Sequence, residues 1–394
     1  MDWIYLDYPA YAPVDSRVVA AMEPWWRERF GNPLSRHGSG AEALRAANTS
    51  RSQVAELLDC QPEEIVFTGT ATEALNIAIQ GLYFGYHSDH KCRLLISQAE
   101  HESVIKTARA LESFGARVDF IPVDEWGRIT PDVVAKCLTD DTLLVAVTHA
   151  NSEVGTIQPL EAISKLCLDK GVFMVCDGAA SAGILSVSLE KIPVSAYAVS
   201  ANTFGGPAGV GALFIRNGIQ LSPLIHGGKQ ESHLRAGTHN VPGIIGMGEA
   251  ARLAKQERTE RVAHCSCLRD LLWERLSQTT PELHLTGHPV ERLPGHLSIL
   301  VDYLEGEALL LSMELEAQIV AASGSICGED ESDAYRLLLA MGFSPERSRG
   351  AVRFGLGWET TEEEILTVTG IFPEIVERLR RKSRIWNQRK SDKS

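Results

Sequence analysis

Nothing in this chain of 394 residues approaches the ~18 consecutive apolar residues that a membrane-spanning helix needs. The first eleven residues, MDWIYLDYPAY, also lack the basic start and apolar centre of a secretory signal. Both absences point to a cytoplasmic protein with no membrane partner. Paired cysteines are missing as well. The eight cysteines are scattered with no C-x-x-C spacing, which speaks against a disulfide framework and against a zinc site. Cys265 and Cys267 stand two apart on a helical stretch and so face different ways. The body of the chain has no patch rich in Lys and Arg, and 51 acidic against 38 basic side chains leave a net charge of -13. That balance excludes nucleic acid and anionic lipid as expected partners. Basic residues gather only from Arg378 to Lys393, where a solvated tail is the expected reading.

What the chain does have is regular alternation. From about Ile65 to Ile215, short apolar runs alternate with amphipathic stretches of helical length, the pattern of a mostly parallel sheet covered on both faces. Strands are predicted at 65–67, 93–97, 143–148, 172–176, 196–200 and 211–215, with helices at 72–82, 102–114 and 160–168 between them. A long helical stretch follows Pro242. From about His296 the order strand, helix, strand, two helices predicts a second α+β unit, which the first residues of the chain join. The expected division is a large α/β domain over 15–257 and a small α+β domain over 1–14 and 258–394.

In open parallel sheets, ligands bind at the carboxyl ends of the strands. Those ends carry a distinctive set here. Thr68-Gly69-Thr70-Ala71-Thr72-Glu73 opens a helix after the first strand with small and hydroxylic residues, suited to holding a phosphate on backbone N–H groups. Glu100 and His101 follow the second strand; His149, Asn151 and Glu153 follow the third; Asp177 follows the fourth; Asn202 and Thr203 follow the fifth. Singly, a histidine there is more often structural and an aspartate more often a cap; their convergence on one sheet end carries the reading. The run GGPAGVG precedes a strand instead of opening a helix after one, so it is not a dinucleotide-binding turn.

The sequence also carries Tyr5-Leu6-Asp7-Tyr8, Phe30-Gly31-Asn32-Pro33, Ala71-Thr72-Glu73, Glu100-His101, Glu153-Val154-Gly155, Asp177, His226-Gly227-Gly228, Arg235-Ala236-Gly237-Thr238, Ser323-Gly324-Ser325-Ile326-Cys327 and Phe354-Gly355-Leu356-Gly357, in that order. In these motifs it resembles the cysteine desulfurases, class V members of the fold-type I pyridoxal phosphate (PLP) enzymes, over nearly its whole length. The resemblance implies that Ala71 and Thr72 contact the cofactor phosphate, that Ser200 adds to that contact, and that His101 stacks on the ring while Asp177 pairs with its nitrogen. It implies that Asn151 and Arg353 receive the substrate carboxylate and that Thr238 reaches the phosphate of a neighbouring subunit, hence a homodimer. Cys327 matches the cysteine that attacks the substrate sulfur and carries it as a persulfide.

The sequence departs from that family at the most reactive position. Where the family has a His-Lys pair whose lysine binds PLP covalently, this chain has Asn202-Thr203, and threonine has no amine with which to hold the cofactor or move the substrate proton. A family glutamine is replaced by Ala180, and the second residue of an Asn-Asn pair by Ser152. Glu329, Asp330 and Glu331 follow Cys327 closely and favour its neutral thiol. Lys191 precedes its strand and belongs at the opposite sheet end, which leaves Lys229 as the candidate surrogate amine, although an exposed loop lysine is the commoner case. The expected fold is thus a fold-type I PLP architecture, a large α/β domain with a smaller C-terminal α+β domain. The expected function is desulfurase-like sulfur mobilisation or transfer, with PLP, if bound, held non-covalently and classical catalysis impaired. The rival readings are a catalytically silent homologue that binds a sulfur acceptor or other protein partner, and a different reaction on a related amino acid.

Overall fold

A computed structural model of the chain describes residues 3–323, 335–382 and 386. The strand β1 (Ile4–Tyr5) comes first, and β2 (Ile65–Thr68), β3 (Arg93–Ser97), β4 (Arg117–Ile121), β5 (Thr142–Thr148), β6 (Phe173–Asp177), β7 (Ala196–Ser200) and β8 (Gly211–Ile215) follow. The last seven form one sheet in the order β2-β8-β7-β6-β5-β3-β4. All its pairings are parallel except those of β8, which is antiparallel to both β2 and β7. Two reversals restore direction, so β2 runs the same way as β7 and delivers its carboxyl end to the same rim.

The predicted strands appear within a residue or two of their expected bounds, because each is an unbroken apolar run with both faces buried. Leu95, Val145, Val147, Met174, Cys176, Tyr197, Val199 and Phe214 point into one core. Their alternating neighbours Leu94, Ile96, Leu144, Ala146, Val175, Ala198 and Leu213 point into the other. This period-two division supports a sheet covered on both sides. The strand β4 and the helix Gly38–Leu58 lie outside the alternation read from sequence. The predicted helix over 102–114 is α-helical only over Glu102–Ala110 and tightens into a 3-10 turn over Leu111–Phe114, ending at Gly115 with φ 92°.

The helix Val241–Thr279 runs 39 residues. Its first part packs Ile244, Met247, Ala250 and Ala254 against the core of the large sheet, and its last part gives Leu268, Leu272 and Leu276 to a separate core. That second core covers a four-stranded sheet of β9 (Leu283–Leu285), β10 (His296–Val301), β12 (Ala322–Ser323) and β13 (Ala351–Gly355), in the order β12-β13-β10-β9. The helix Glu362–Lys382 supplies Ile365, Val368, Phe372 and Val376 to it. The short strand β11 (Ile319–Val320) pairs in parallel with β1, which ties the start of the chain to this region.

Candidate active site

The carboxyl rim of the large sheet borders a cavity of about 420 Å³. Strand direction explains its lining. Thr70, Ala71 and Thr72 follow β2, Ala99 and His101 follow β3, Asn151 and Ser152 follow β5, Asp177 ends β6, and Ser200, Asn202 and Thr203 follow β7. Arg353 enters from β13, and Pro9 and Ala10 from the segment after β1. Of the residues expected at the site, Ala71, Thr72, His101, Asn151, Asp177, Ser200, Thr203 and Arg353 come together here. Thr238 and Lys229 do not; both are exposed and outside the lining. Cys327 lies outside the described residues. The described lining contains no lysine.

Each group is held by its own local structure. Thr70 caps the helix Ala71–Tyr86 by accepting from the Glu73 N–H at 3.0 Å. The N–H groups of Ala71 and Thr72, at the positive end of the helix, have no acceptor among the described residues. Gly211 on β8 makes this turn possible, since a Cβ there would lie 2.7 Å from the Thr70 carbonyl carbon. His101 caps the helix Glu102–Ala110, with Nδ1 accepting from the Ser103 N–H at 3.1 Å.

Asp177 is buried, and one carboxylate oxygen accepts from the Ala179 N–H at 2.9 Å. The other has no hydrogen-bond partner among the described residues and borders the cavity. Burial raises the Asp177 pKa above the ordinary carboxylate range, opposed by the Ala179 N–H and by His101. Glu100 lies close enough for Asp177 to act on it. Burial first, and the Asp177 charge second, push its carboxyl up to about 8. Oε1 of Glu100 accepts from the Thr148 N–H at 2.5 Å, whereas Oε2 is buried without a partner. Burial likewise pushes the Glu153 carboxyl up to about 7.

The carboxylate-binding candidates are already engaged. Arg353 donates from Nη2 to Asp7 Oδ1 at 2.6 Å and from Nη1 to the Ser152 carbonyl at 2.9 Å, and its buried Nε has no acceptor. The Asn151 side chain donates to the Ala99 carbonyl at 2.8 Å and accepts from the Glu153 and Val154 N–H groups, which shapes the loop after β5. Asp7 and Ser152 as partners of Arg353 are long-range contacts that no local pattern announces. The His149 ring, also at this rim in sequence, turns into the core. It bonds the Tyr197 hydroxyl at 2.8 Å, and burial lowers its pKa to about 4. It is a satisfied structural histidine outside the cavity lining.

The segment after β7 closes on itself. Ser200 donates to Asn202 Oδ1 at 2.6 Å, Thr203 donates to the Ser200 carbonyl at 2.9 Å, and Asn202 donates to the Ala10 carbonyl at 3.3 Å. The arrangement offers an anion-accepting helix terminus, a buried carboxylate with one oxygen unpartnered among the described residues, and a guanidinium around one space, with no amine nucleophile among the described lining residues.

Residues 4–368 match the family model for aminotransferase class V. The chain is 36% identical over 377 residues to the cysteine desulfurase IscS of Dictyoglomus turgidum, covering 96% of this chain and 95% of that one. It is 38% identical over 384 residues to cysteine desulfurase IscS 1 of Archaeoglobus fulgidus, covering 98% and 100%. Among solved structures, a NifS-like protein superposes with a TM-score of 0.90 at 34% identity, over 96% of this chain and all of that one.

Proposed function

Because this chain belongs to the cysteine desulfurase family of the class V aminotransferases, we propose that it mobilises or transfers the sulfur of cysteine through a PLP site with no covalent lysine anchor. The observation that carries this reading is the composition of the 420 Å³ cavity, which keeps the polar groups suited to the cofactor and has no lysine among its described lining residues.

The residues present fit PLP held by non-covalent contacts. The unpaired oxygen of Asp177 is an acceptor for a protonated ring nitrogen, and the free N–H groups of Ala71 and Thr72 suit a phosphate. When bound, the cofactor supplies an electron sink for chemistry at the substrate α-carbon. The chain's own residues then divide the remaining work. His101 walls the site, Asn151 and Arg353 orient the substrate carboxylate, and Cys327 serves as the thiol that accepts sulfur. Arg353 must share its guanidinium between that carboxylate and Asp7. Ser200 is available to a phosphate only by giving up its bond to Asn202.

Thr203 has no group with which to carry the α-proton, and a positioned general acid or base typically contributes about 10²–10⁴-fold. Turnover is therefore weak. The exposure of Thr238, away from its own cavity, fits a role at the site of a second subunit in a homodimer, and Lys229 is the surrogate amine to examine there. A sulfur-acceptor protein is the partner such a function requires. The closed hydrogen-bond set of Ser200, Asn202 and Thr203 favours a second reading, a catalytically silent homologue that binds that partner as a scaffold.

The visible spectrum of the purified protein, borohydride reduction with peptide mapping, and sulfide release from cysteine test the proposal together. Bound PLP that borohydride fixes to no peptide, with little sulfide, is the expected result. A reduced PLP-lysine peptide, or robust sulfide and alanine production that Cys327→Ser abolishes, would overturn it. A colourless, folded protein would leave the scaffold reading.

A further inference from the structure

A groove of about 670 Å³ opens at the start of the chain and shares no lining residue with the candidate active site. The alternation Trp3-Ile4-Tyr5-Leu6 builds one wall: Ile4 and Leu6 join the core of the small sheet, so Trp3 and Tyr5 turn the other way. Tyr5 pairs with Val320 of β11, which also lines the groove. The Tyr5 hydroxyl donates to the Tyr11 carbonyl at 2.8 Å and holds the segment folded back, which brings Tyr8 and Tyr11 to the same space. The Tyr5 and Tyr8 rings lie 5.6 Å apart, tilted by 50°. Trp3 and Tyr11 are 45% and 42% exposed, and neither side chain makes a hydrogen bond or ring contact among the described residues.

The facing wall is acidic. Glu359 is exposed, and its carboxylate has no hydrogen bond or ion pair among the described residues. Glu364 accepts from the Thr361 N–H at 2.7 Å and from the Thr361 hydroxyl at 3.2 Å, both through Oε2, and its Oε1 has no partner among the described residues. Both charges reach the rings, since they add to the rise that burial gives the pKa of the Tyr8 hydroxyl. No Lys, Arg or His is among the described lining residues.

Four aromatic rings beside two carboxylates select a particular cation. Carboxylates attract any positive charge, whereas rings favour one that sheds water readily and offers a flat face. A guanidinium does both, stacking on a ring while its edge meets a carboxylate. The same pairing occurs one residue from Glu359, where the Arg261 guanidinium lies 4.3 Å from the centre of the Trp358 ring. The groove is larger than a single guanidinium fills, which leaves room for the chain that carries it. Free arginine, by contrast, would bring its own carboxylate against Glu359 and Glu364.

We propose that this groove docks a partner protein through an arginine side chain, held among Trp3, Tyr5, Tyr8 and Tyr11 and paired with Glu359. The proposal goes beyond the function above and does not rest on it, because no groove residue is assigned to cofactor or substrate. Pro9 and Ala10 of the same segment line the main cavity, so a docked partner lies beside that site.

The probe is the peptide acetyl-Gly-Gly-Arg-Gly-Gly-amide, titrated calorimetrically into the full-length protein alongside the same peptide with citrulline, which keeps the shape of arginine and loses its charge. At low salt the arginine peptide is expected to bind roughly tenfold tighter. Trp3→Ala and Glu359→Gln should each weaken the arginine peptide severalfold, and the double variant should bring the ratio close to one. Equal affinities in the native protein overturn the proposal. So does a ratio that the folded double variant preserves, since the peptide would then bind elsewhere. Free L-arginine or choline binding at least as tightly as the peptide would make the groove a small-molecule site and overturn the protein partner. Self-association in sedimentation that the double variant abolishes would make the occupant a second copy of this chain, and overturns it too. Should the double variant fail to fold, the native ratio and Glu359→Gln alone decide.

Discussion

The buried carboxyl of Glu100 makes the stability of this protein depend on pH in a direction opposite to that of a typical paired carboxylate. Its Oε1 holds the Thr148 N–H, its Oε2 has no partner, and its pKa is raised from 4.5 to about 8, chiefly by burial. The folded state therefore holds this proton more tightly than the unfolded chain does. Below about pH 4.5 both states are protonated and Glu100 contributes its full share of stability. As pH rises toward 8 the unfolded chain has lost the proton while the folded one retains it, and stability falls. Each pKa unit between the two states corresponds to about 1.4 kcal/mol, so the loss on crossing this window is on the order of 5 kcal/mol. Glu100→Gln keeps the acceptor for Thr148 and cannot ionise. Urea unfolding at pH 6 and pH 9 should show the variant losing roughly 3 kcal/mol less than the native protein, since only the two pH units up to about 8 fall in that interval. Parallel behaviour of the two proteins would refute the reasoning, because it would mean that the carboxylate is solvated in the folded state.

Three further outcomes follow from the same geometry. Thr203→Lys is expected to capture PLP and turn the protein yellow without much sulfide release, and Thr203→Lys with Asn202→His to release more; absorbance and a sulfide assay read both. Asp177→Ala should abolish PLP uptake, measured by equilibrium dialysis, while leaving the fold intact by circular dichroism. Glu231 accepts from Arg51 at 2.7 Å, from His239 at 2.8 Å and from the Phe67 N–H at 2.8 Å, and its pKa is lowered to about 2 despite burial. Its stabilisation is present above about pH 4.5 and disappears as pH falls toward 2. Glu231→Ala should lose roughly 3–5 kcal/mol at neutral pH, read by denaturant unfolding.

The large sheet was legible in the sequence because its strands are apolar on both faces, and the bounds of β3, β7 and β8 agree with the pattern residue for residue. In β4, RVDFI, exposed and half-buried residues interrupt the apolar run at an edge of the sheet, so alternation does not mark it. The rule that ligands meet the carboxyl ends of strands is enough to mark Asp177, His101, Asn151 and the turn at Ala71, and all four line the cavity. It also drew in His149, since sequence position fixes the rim but not the direction of a side chain. Pairings across long separations were beyond local reading. Asp7 meets Arg353 over 346 residues, and Pro9 and Ala10 enter the cavity because β1 joins the far end of the chain.

The helix Val241–Thr279 has a mechanical consequence. At 1.5 Å per residue it is a rod about 58 Å long, and its two ends are embedded in different hydrophobic cores. Arg353 rides on the sheet at one end and Asp177 on the sheet at the other. The rod thus works as a shared strut, contributing side chains to the core beneath each of the two sheets whose residues face one another across the cavity.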